Sequence, residues 1–381
     1  MAPKLVNIYS TIQRRHRLGP LQLLLASFAL LPACKTPLPR TPLAEHEAYV
    51  WQQAWGPAMA TAVRERLPEL KNLHVLALTY DPKGQAQPAT VDLEPLVAAG
   101  PVVAVVRVEG KTGLADLSLA PLQTIVRTWQ AKGIQVTGIE VDHDCATSQL
   151  ASYAKWLQVQ KQAVAPLPLG ITALPTWQGS PNLRDIANAV DRVTLQVHTI
   201  AAPTLFDSHV ARRACEAWSA ASGKAFWLAL PTYKARLATG EQLAADPQEL
   251  QEFVASLRSN PPAGMLGVVW FRLPFQGDPD AWPKATWQAV LRGEPLQAQV
   301  ALQLRPAGAG LWDIVAGNTG TAAGALPQMM KFTGTIEHLE GVRGCQARGR
   351  VLQCPAQAQV AVGQMVVLGY VRGHEVQLEA N

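Results

Sequence analysis

The chain has 381 residues, 48% of them apolar and 16% charged, and a formal net charge of +5. Four of its basic residues, Lys4, Arg14, Arg15 and Arg17, fall within the first 34 residues, which hold no acid, so the rest carries only +1. A nucleic-acid binder needs a basic patch on its folded part; no such run occurs, and no nucleic-acid partner is expected.

Those basic residues precede an apolar run, Leu21–Leu31, that ends in Leu31-Pro32-Ala33-Cys34. The run is shorter than the roughly 20 residues a membrane-spanning helix needs. A charged segment, a short apolar segment and a small residue before the break are the parts of an export signal. The segment resembles a bacterial lipoprotein signal, which implies cleavage before Cys34 and acylation of its thiol. Residues 1–34 are therefore expected to be removed up to Cys34, leaving a lipid-anchored protein of the cell envelope, on the periplasmic face or in an outer membrane. Lys35 after the cysteine, rather than Asp, agrees with outer-membrane sorting. An ordinary signal peptide with an incidental cysteine is the alternative. Residues 35–48, with the proline-rich stretch KTPLPRTPLAEHE, read as a short, semi-extended tether.

From residue 49 to residue 293 short β-rich runs alternate with helical stretches, the pattern of a parallel sheet with helices around it. The strands are expected at Tyr49–Trp51, Leu73–Tyr80, Val102–Val108, Ile134–Asp142, Leu169–Leu174, Arg192–Thr199, Phe226–Pro231 and Leu266–Leu273. Runs such as VVAVV and LGVVW are apolar throughout, as strands buried on both faces are. Asp207 opens a helix that Gly223 ends. Asp246-Pro247-Gln248-Glu249 combines an N-cap, a proline at the first helical position and a capping-box acid, and Gly133 and Gly293 close two further helices. Eight strands in about 250 residues predict an α/β fold, a (β/α)8 barrel.

Past Leu296 no long amphipathic helix occurs. Alternating stretches such as QVALQLR and turns such as GNTG and GVRG predict a small antiparallel, sandwich-like β-domain over residues 296–381. Cys345 and Cys354 bracket GCQARGRVLQC, two strand edges around a turn, and an exported chain can keep a disulfide there. Cys145 and Cys215 read equally well as single buried thiols.

Catalytic groups of such barrels stand at the C-terminal ends of the strands. At the end of the fourth strand lies Gly138-Ile139-Glu140-Val141-Asp142-His143-Asp144. A strand puts Glu140, Asp142 and Asp144 on one face, about 6.6 Å apart per pair, pointing into the barrel. Three crowded acids need a counter-charge or a proton. Arg107 and Arg272, near the ends of the third and eighth strands, are the candidates, either pairing with Glu140 or meeting a substrate. A carboxyl raised by crowding is also what a general acid requires. Gln196, His198, Tyr233, Trp177 and Trp51 are placed around the same rim, a set suited to binding sugar rings and hydroxyls. His198 reads equally as a structural hydrogen-bonding residue, and His143 has the parity of the helix layer. Asp142 and Asp144 could hold calcium or magnesium, but no metal motif, phosphate loop, dinucleotide fingerprint or serine elbow is present. No metal and no cofactor are expected.

The segment GIEVDHD is similar to the strand-four signature of chitinase-like family 18 glycoside hydrolases. The resemblance implies Asp144 as proton donor, Asp142 as the residue orienting a substrate acyl-amino group, Glu140 as a supporting acid and Trp270 as the floor of the sugar site. It departs in having Asp at the donor position and Glu at the deeper one. The set YVWQQAW, GIEVDHDC, LGITALPTW, VDRVTLQVH and LALPTY also resembles a bacterial family, domain of unknown function family 3142, which implies a barrel followed by a β-domain and no particular reaction. The function expected is hydrolysis of a glycosidic bond in a polysaccharide or oligosaccharide by carboxylate acid/base chemistry, with Asp144 as general acid and Asp142 as nucleophile, base or orienter, roles that a spacing of two residues does not choose among. The alternative is a non-catalytic glycan-binding or envelope-assembly lipoprotein.

Overall fold

The computed structural model describes residues 38–110, 113–199 and 203–379; Cys34 lies outside them. Eight parallel strands, with a short antiparallel ninth, Ala86–Pro88, beside the second, form one sheet: β1 (His46–Val50), β2 (Leu70–Tyr80), β3 (Val102–Val108), β4 (Val136–His143), β5 (Leu169–Ala173), β6 (Arg192–Gln196), β7 (Phe226–Pro231) and β8 (Met265–Phe271). Each neighbours the next in sequence, and β1 pairs with both β8 and β2, which closes the barrel. Helices α1 (Pro57–Arg64), α2 (Leu93–Ala99), α3 (Ala120–Ala131), α4 (Leu150–Val164), α5 (Leu183–Ala189), α6 (Ser208–Ser222), α7 (Pro247–Ser259) and α8 (Lys284–Arg292) follow the strands one by one.

Local signals explain the helix ends. The Asp207 carboxylate accepts from the Val210 N–H at 2.8 Å, and Gly223 ends α6 in the left-handed conformation open to glycine. Asp246 accepts from the Gln248 N–H. Glu249, read as the capping-box acid of α7, instead accepts from the Ser208 N–H at 2.7 Å and so caps the neighbouring helix α6.

Most of the core lies between the strands and the helix layer, where Leu73, Val102, Ile171, Trp177, Trp218, Trp270 and Trp287 are buried. A second, smaller cluster inside the barrel joins Tyr49, Val105, Trp227 and Val269. Gly267 is required there, because a Cβ on it would stand 2.5 Å from the Trp227 ring and 2.6 Å from the Glu45 carbonyl oxygen.

One boundary differs from the sequence reading. The segment read as tether is held from Pro39 onward by hydrogen bonds to the barrel, with Leu43 buried and residues 39–42 exposed, and β1 begins at His46, with Glu47 fully buried. Its acid is satisfied only by residues from other strands, which a local reading cannot see.

The C-terminal part is antiparallel. A six-stranded sheet contains β9 (Val300–Gly308), β10 (Leu311–Asn318), β11 (Met329–Gly341) and β12 (Met365–Leu378), and a two-stranded ribbon pairs Gly324–Ala325 with Gln359–Val360. Their core is Ile314, Phe332, Leu352, Leu368 and Val371. Cys345 and Cys354 form a disulfide across the hairpin of Gln346–Arg348 and Val351–Gln353; Cys145 and Cys215 are unpaired and buried. A loop this short constrains the unfolded chain by about 2–3 kcal/mol. Cys345→Ser/Cys354→Ser is expected to lower the unfolding free energy of the β-domain by that amount, and with it the denaturant midpoint, and to leave the barrel transition in place, read from separate tryptophan and far-UV signals.

Candidate active site at the barrel mouth

The inward positions of β4 carry the acids, as their spacing predicts. Asp142 and Arg107 are register partners on adjacent strands. Arg107 Nη1 donates to Asp142 Oδ2, and its Nη2 donates to Asp144 Oδ2 at 2.9 Å, so one guanidinium holds both carboxylates. The Thr172 hydroxyl donates to the other oxygen of Asp142 at 2.6 Å.

The two acids live in different surroundings. The Asp142 side chain is 4% exposed and that of Asp144 is 50% exposed. Burial raises the Asp142 carboxyl above its usual value; Arg107 opposes that and Asp144 adds to it.

Asp142 lines a cavity of about 10 Å3 with Tyr49, Trp51, Thr172, Gln196 and Phe271, space for about one water molecule. Trp51 and Phe271 meet edge to face at 5.0 Å, and Tyr49 packs against both, giving an aromatic collar over the acid. Gln196 turns its amide to the His198 carbonyl at 3.4 Å. His198 is buried against Tyr233 and Phe271, and its Nδ1 has no hydrogen-bond partner among the described residues. Burial lowers it to about 4, so it is neutral at physiological pH, and pushes the Tyr233 hydroxyl up to about 12. A wider groove of about 350 Å3 by Trp55, Arg64 and Asp92 touches none of Glu140, Asp142 and Asp144.

Glu140 does not reach the cavity. It is fully buried below it, and its partners are not the arginines expected from sequence. Glu140 accepts from the Tyr49 hydroxyl at 2.6 Å and from the Thr194 hydroxyl at 3.0 Å, and lies 3.3 Å from His74 Nδ1. On the other side of the ring, His74 Nε2 is 2.7 Å from Glu47 Oε2, and Arg192 also binds Glu47. His74 and Arg192 hold the Glu140 carboxyl below its usual range although burial works the other way. Glu47 falls to about 2 for the same reason. Burial disfavours a charged His74, yet the two carboxylates outweigh it and raise its pKa. The interior is thus filled by a chain of charges, Glu47–His74–Glu140, with Arg192 beside it. Glu47, His74 and Arg192 were not among the expected site residues. Part of the signal was present: His74 lies between apolar residues in LHVLAL, and Glu47 shares the parity of Tyr49.

Three further assignments change. Trp270 faces the helix layer, fully buried, with its ring stacked on His46; the inward residues of β8 are Val269 and Phe271. Trp177 is buried in the helix-layer core and donates from Nε1 to the Cys145 carbonyl at 2.9 Å. Arg272 pairs with Asp278 at 2.7 Å, not with Glu140. His143 faces α4, edge-on to Tyr153 at 5.3 Å, as its parity predicts. Among the described residues no cluster of three or more His, Cys, Asp or Glu is arranged to hold a metal.

The family model described as Domain of unknown function (DUF3142) matches residues 98–276. That span takes in β3 to β8 with Arg107, the β4 acids and Arg192, and leaves out Glu47, Tyr49 and His74. No curated protein matches the chain. Among solved structures, the chain is similar to the Bacillus cereus spore cortex-lytic enzyme SleL, at 12% identity over 68% of this chain and 76% of that one, with a TM-score of 0.49. It is also similar to a chitinase from Chromobacterium violaceum ATCC 12472, at 13% identity over 66% and 98%, with a TM-score of 0.48. Neither likeness carries the reading of the site.

Proposed function

We propose that this chain, whose residues 98–276 match DUF3142, is an exported protein anchored by lipid on Cys34 whose barrel mouth binds a glycan and hydrolyses a glycosidic bond. The observation that carries the catalytic part is the pairing of Asp142 and Asp144 on the single guanidinium of Arg107 under an aromatic collar. Acid/base hydrolysis of a glycoside uses two carboxyls of unlike environment. Here burial biases Asp142 toward the protonated form, while Asp144 stands at the rim where a glycan can reach it. Trp51 and Phe271 offer ring faces and edges to a sugar, and Gln196 and the neutral His198 offer hydrogen-bonding groups.

A second reading, glycan binding without turnover, is favoured by one observation: Arg107 satisfies both acids and the cavity beneath holds little more than one water. For hydrolysis, the arriving glycan must draw Arg107 or Asp144 out of this ion pair. The mature protein, assayed on cell-wall and chitin-type oligosaccharides, is expected to cleave, with Asp142→Asn and Asp144→Asn each lowering kcat at least a hundredfold while binding persists. Binding with no cleavage by any of the three proteins selects the second reading. Cleavage undiminished in both variants rules out the site.

A further inference from the structure

The segment that leads from Cys34 into the barrel is fastened across one end of it. The Gly264 N–H donates to the Pro39 carbonyl at 2.7 Å, and Arg40 Nη1 donates to Asn260 Oδ1 at 2.9 Å and to the Pro261 carbonyl at 2.8 Å. Leu38 lies so close over Gly264 that a Cβ there would meet its Cδ1 at 2.5 Å. Leu43 is buried, and the Glu45 carbonyl accepts from the Val268 N–H at 3.1 Å. Residues 260–264 connect α7 to the start of β8, so all these contacts lie at the N-terminal ends of the strands. The acids and the cavity stand at the opposite end.

We infer, resting on the lipid-anchor reading above, that the N-terminal end of the barrel faces the lipid surface and that the mouth opens away from it. Only residues 35–37 separate Cys34 from the fastened Leu38, and four residue steps of extended chain span at most about 14 Å. The docking end is therefore kept within that distance of the acylated thiol. A strand of eight residues is about 26 Å long, and at the usual barrel tilt it lifts the β4 acids roughly 20 Å above the docked segment. A free tether over 35–47 would let the barrel lie in any attitude; this one does not. The substrate that fits is a glycan strand standing clear of the anchoring leaflet, and the headgroups of that leaflet are out of reach.

The test uses the acylated full chain in vesicles of phosphatidylethanolamine and phosphatidylglycerol carrying a few per cent of a lipid with a quencher on its headgroup. A fluorophore is placed through Lys132→Cys, at the docking end, or Lys83→Cys, at the mouth end; both residues are exposed. Quenching is expected to be at least threefold stronger at position 132. Equal quenching overturns the orientation. An unchanged difference in Leu38→Gly/Arg40→Ala with ten Gly/Ser residues inserted after residue 37 overturns the docked segment as its cause. The mass of the N-terminal peptide separates the premise: a Cys34 without acyl groups overturns the anchor reading and the inference with it, whereas an acylated chain with equal quenching overturns the inference alone.

Discussion

Replacing His74 with leucine is expected to lower the stability of the barrel by about 3–5 kcal/mol, the usual cost of removing one partner from a buried ion pair. In a barrel of this size that is a fall of roughly 10 °C in Tm. The reason is geometric. The side chains of His74, Glu47 and Glu140 have no exposed surface, and each ring nitrogen of His74 faces a carboxylate oxygen. A neutral ring would turn a lone pair on one of those carboxylates, so the ring is held as an imidazolium. Leucine leaves two buried carboxylates with Arg192 as the remaining cation, and only hydrogen bonds from Asn72, Tyr49 and Thr194 to satisfy them. Calorimetry of the two proteins measures this, and a difference under about 1 kcal/mol would sink the account.

The same network sets a pH window. His74 has its pKa raised above 6.5 by folding, so its contribution is complete below about 6.5 and is lost as pH climbs through the folded value. Glu47, lowered from 4.5 to about 2, and Glu140, also lowered, contribute above about 4.5 and lose it as pH falls toward their folded values. Stability from this network is therefore greatest between about pH 4.5 and 6.5 and declines on the alkaline side. That alkaline decline is expected to vanish in His74→Leu.

How much of this was legible in the sequence follows from what each strand has to satisfy. β3 and β7 were bounded to the residue because, Arg107 aside, they are apolar runs between clear breaks. The inward face of β4 was legible because its acids alternate with apolar residues. β8 offered no such alternation: MLGVVWF is apolar throughout, so nothing local says that Phe271, not Trp270, points to the mouth. β1 was cut short for the opposite reason. Glu47 looks like a surface residue until Arg192, 145 positions away, is brought beside it. Arg272 shows a third limit: a partner six residues on, Asp278, was overlooked in favour of a distant acid. Charges mark where a site lies, but their pairing is decided by register.

Register also yields the sharpest expectation at the mouth itself. Arg107 faces Asp142 across β3 and β4, and Arg107→Met leaves that acid buried with the Thr172 hydroxyl as its partner. At neutral pH the cost is expected to be about 3 kcal/mol, the low end for a broken buried pair because Arg107 keeps some exposure. Asp144, half exposed, loses little. The cost shrinks in acid. The Asp142 pKa is already raised by burial, and a carboxyl that binds its proton more tightly when folded stabilises the fold as pH falls. Without Arg107 its pKa rises further, so the variant recovers as Asp142 takes up its proton. Arg107→Met/Asp142→Asn removes cation and anion together and is expected to regain most of the loss at neutral pH, a coupling of 2 kcal/mol or more in the double-mutant cycle. Urea titrations of the four proteins at pH 7 and pH 5 decide it. If the double variant is no more stable than Arg107→Met, and neither recovers in acid, then Arg107 supports the mouth by packing and Asp142 is not the charge it restrains.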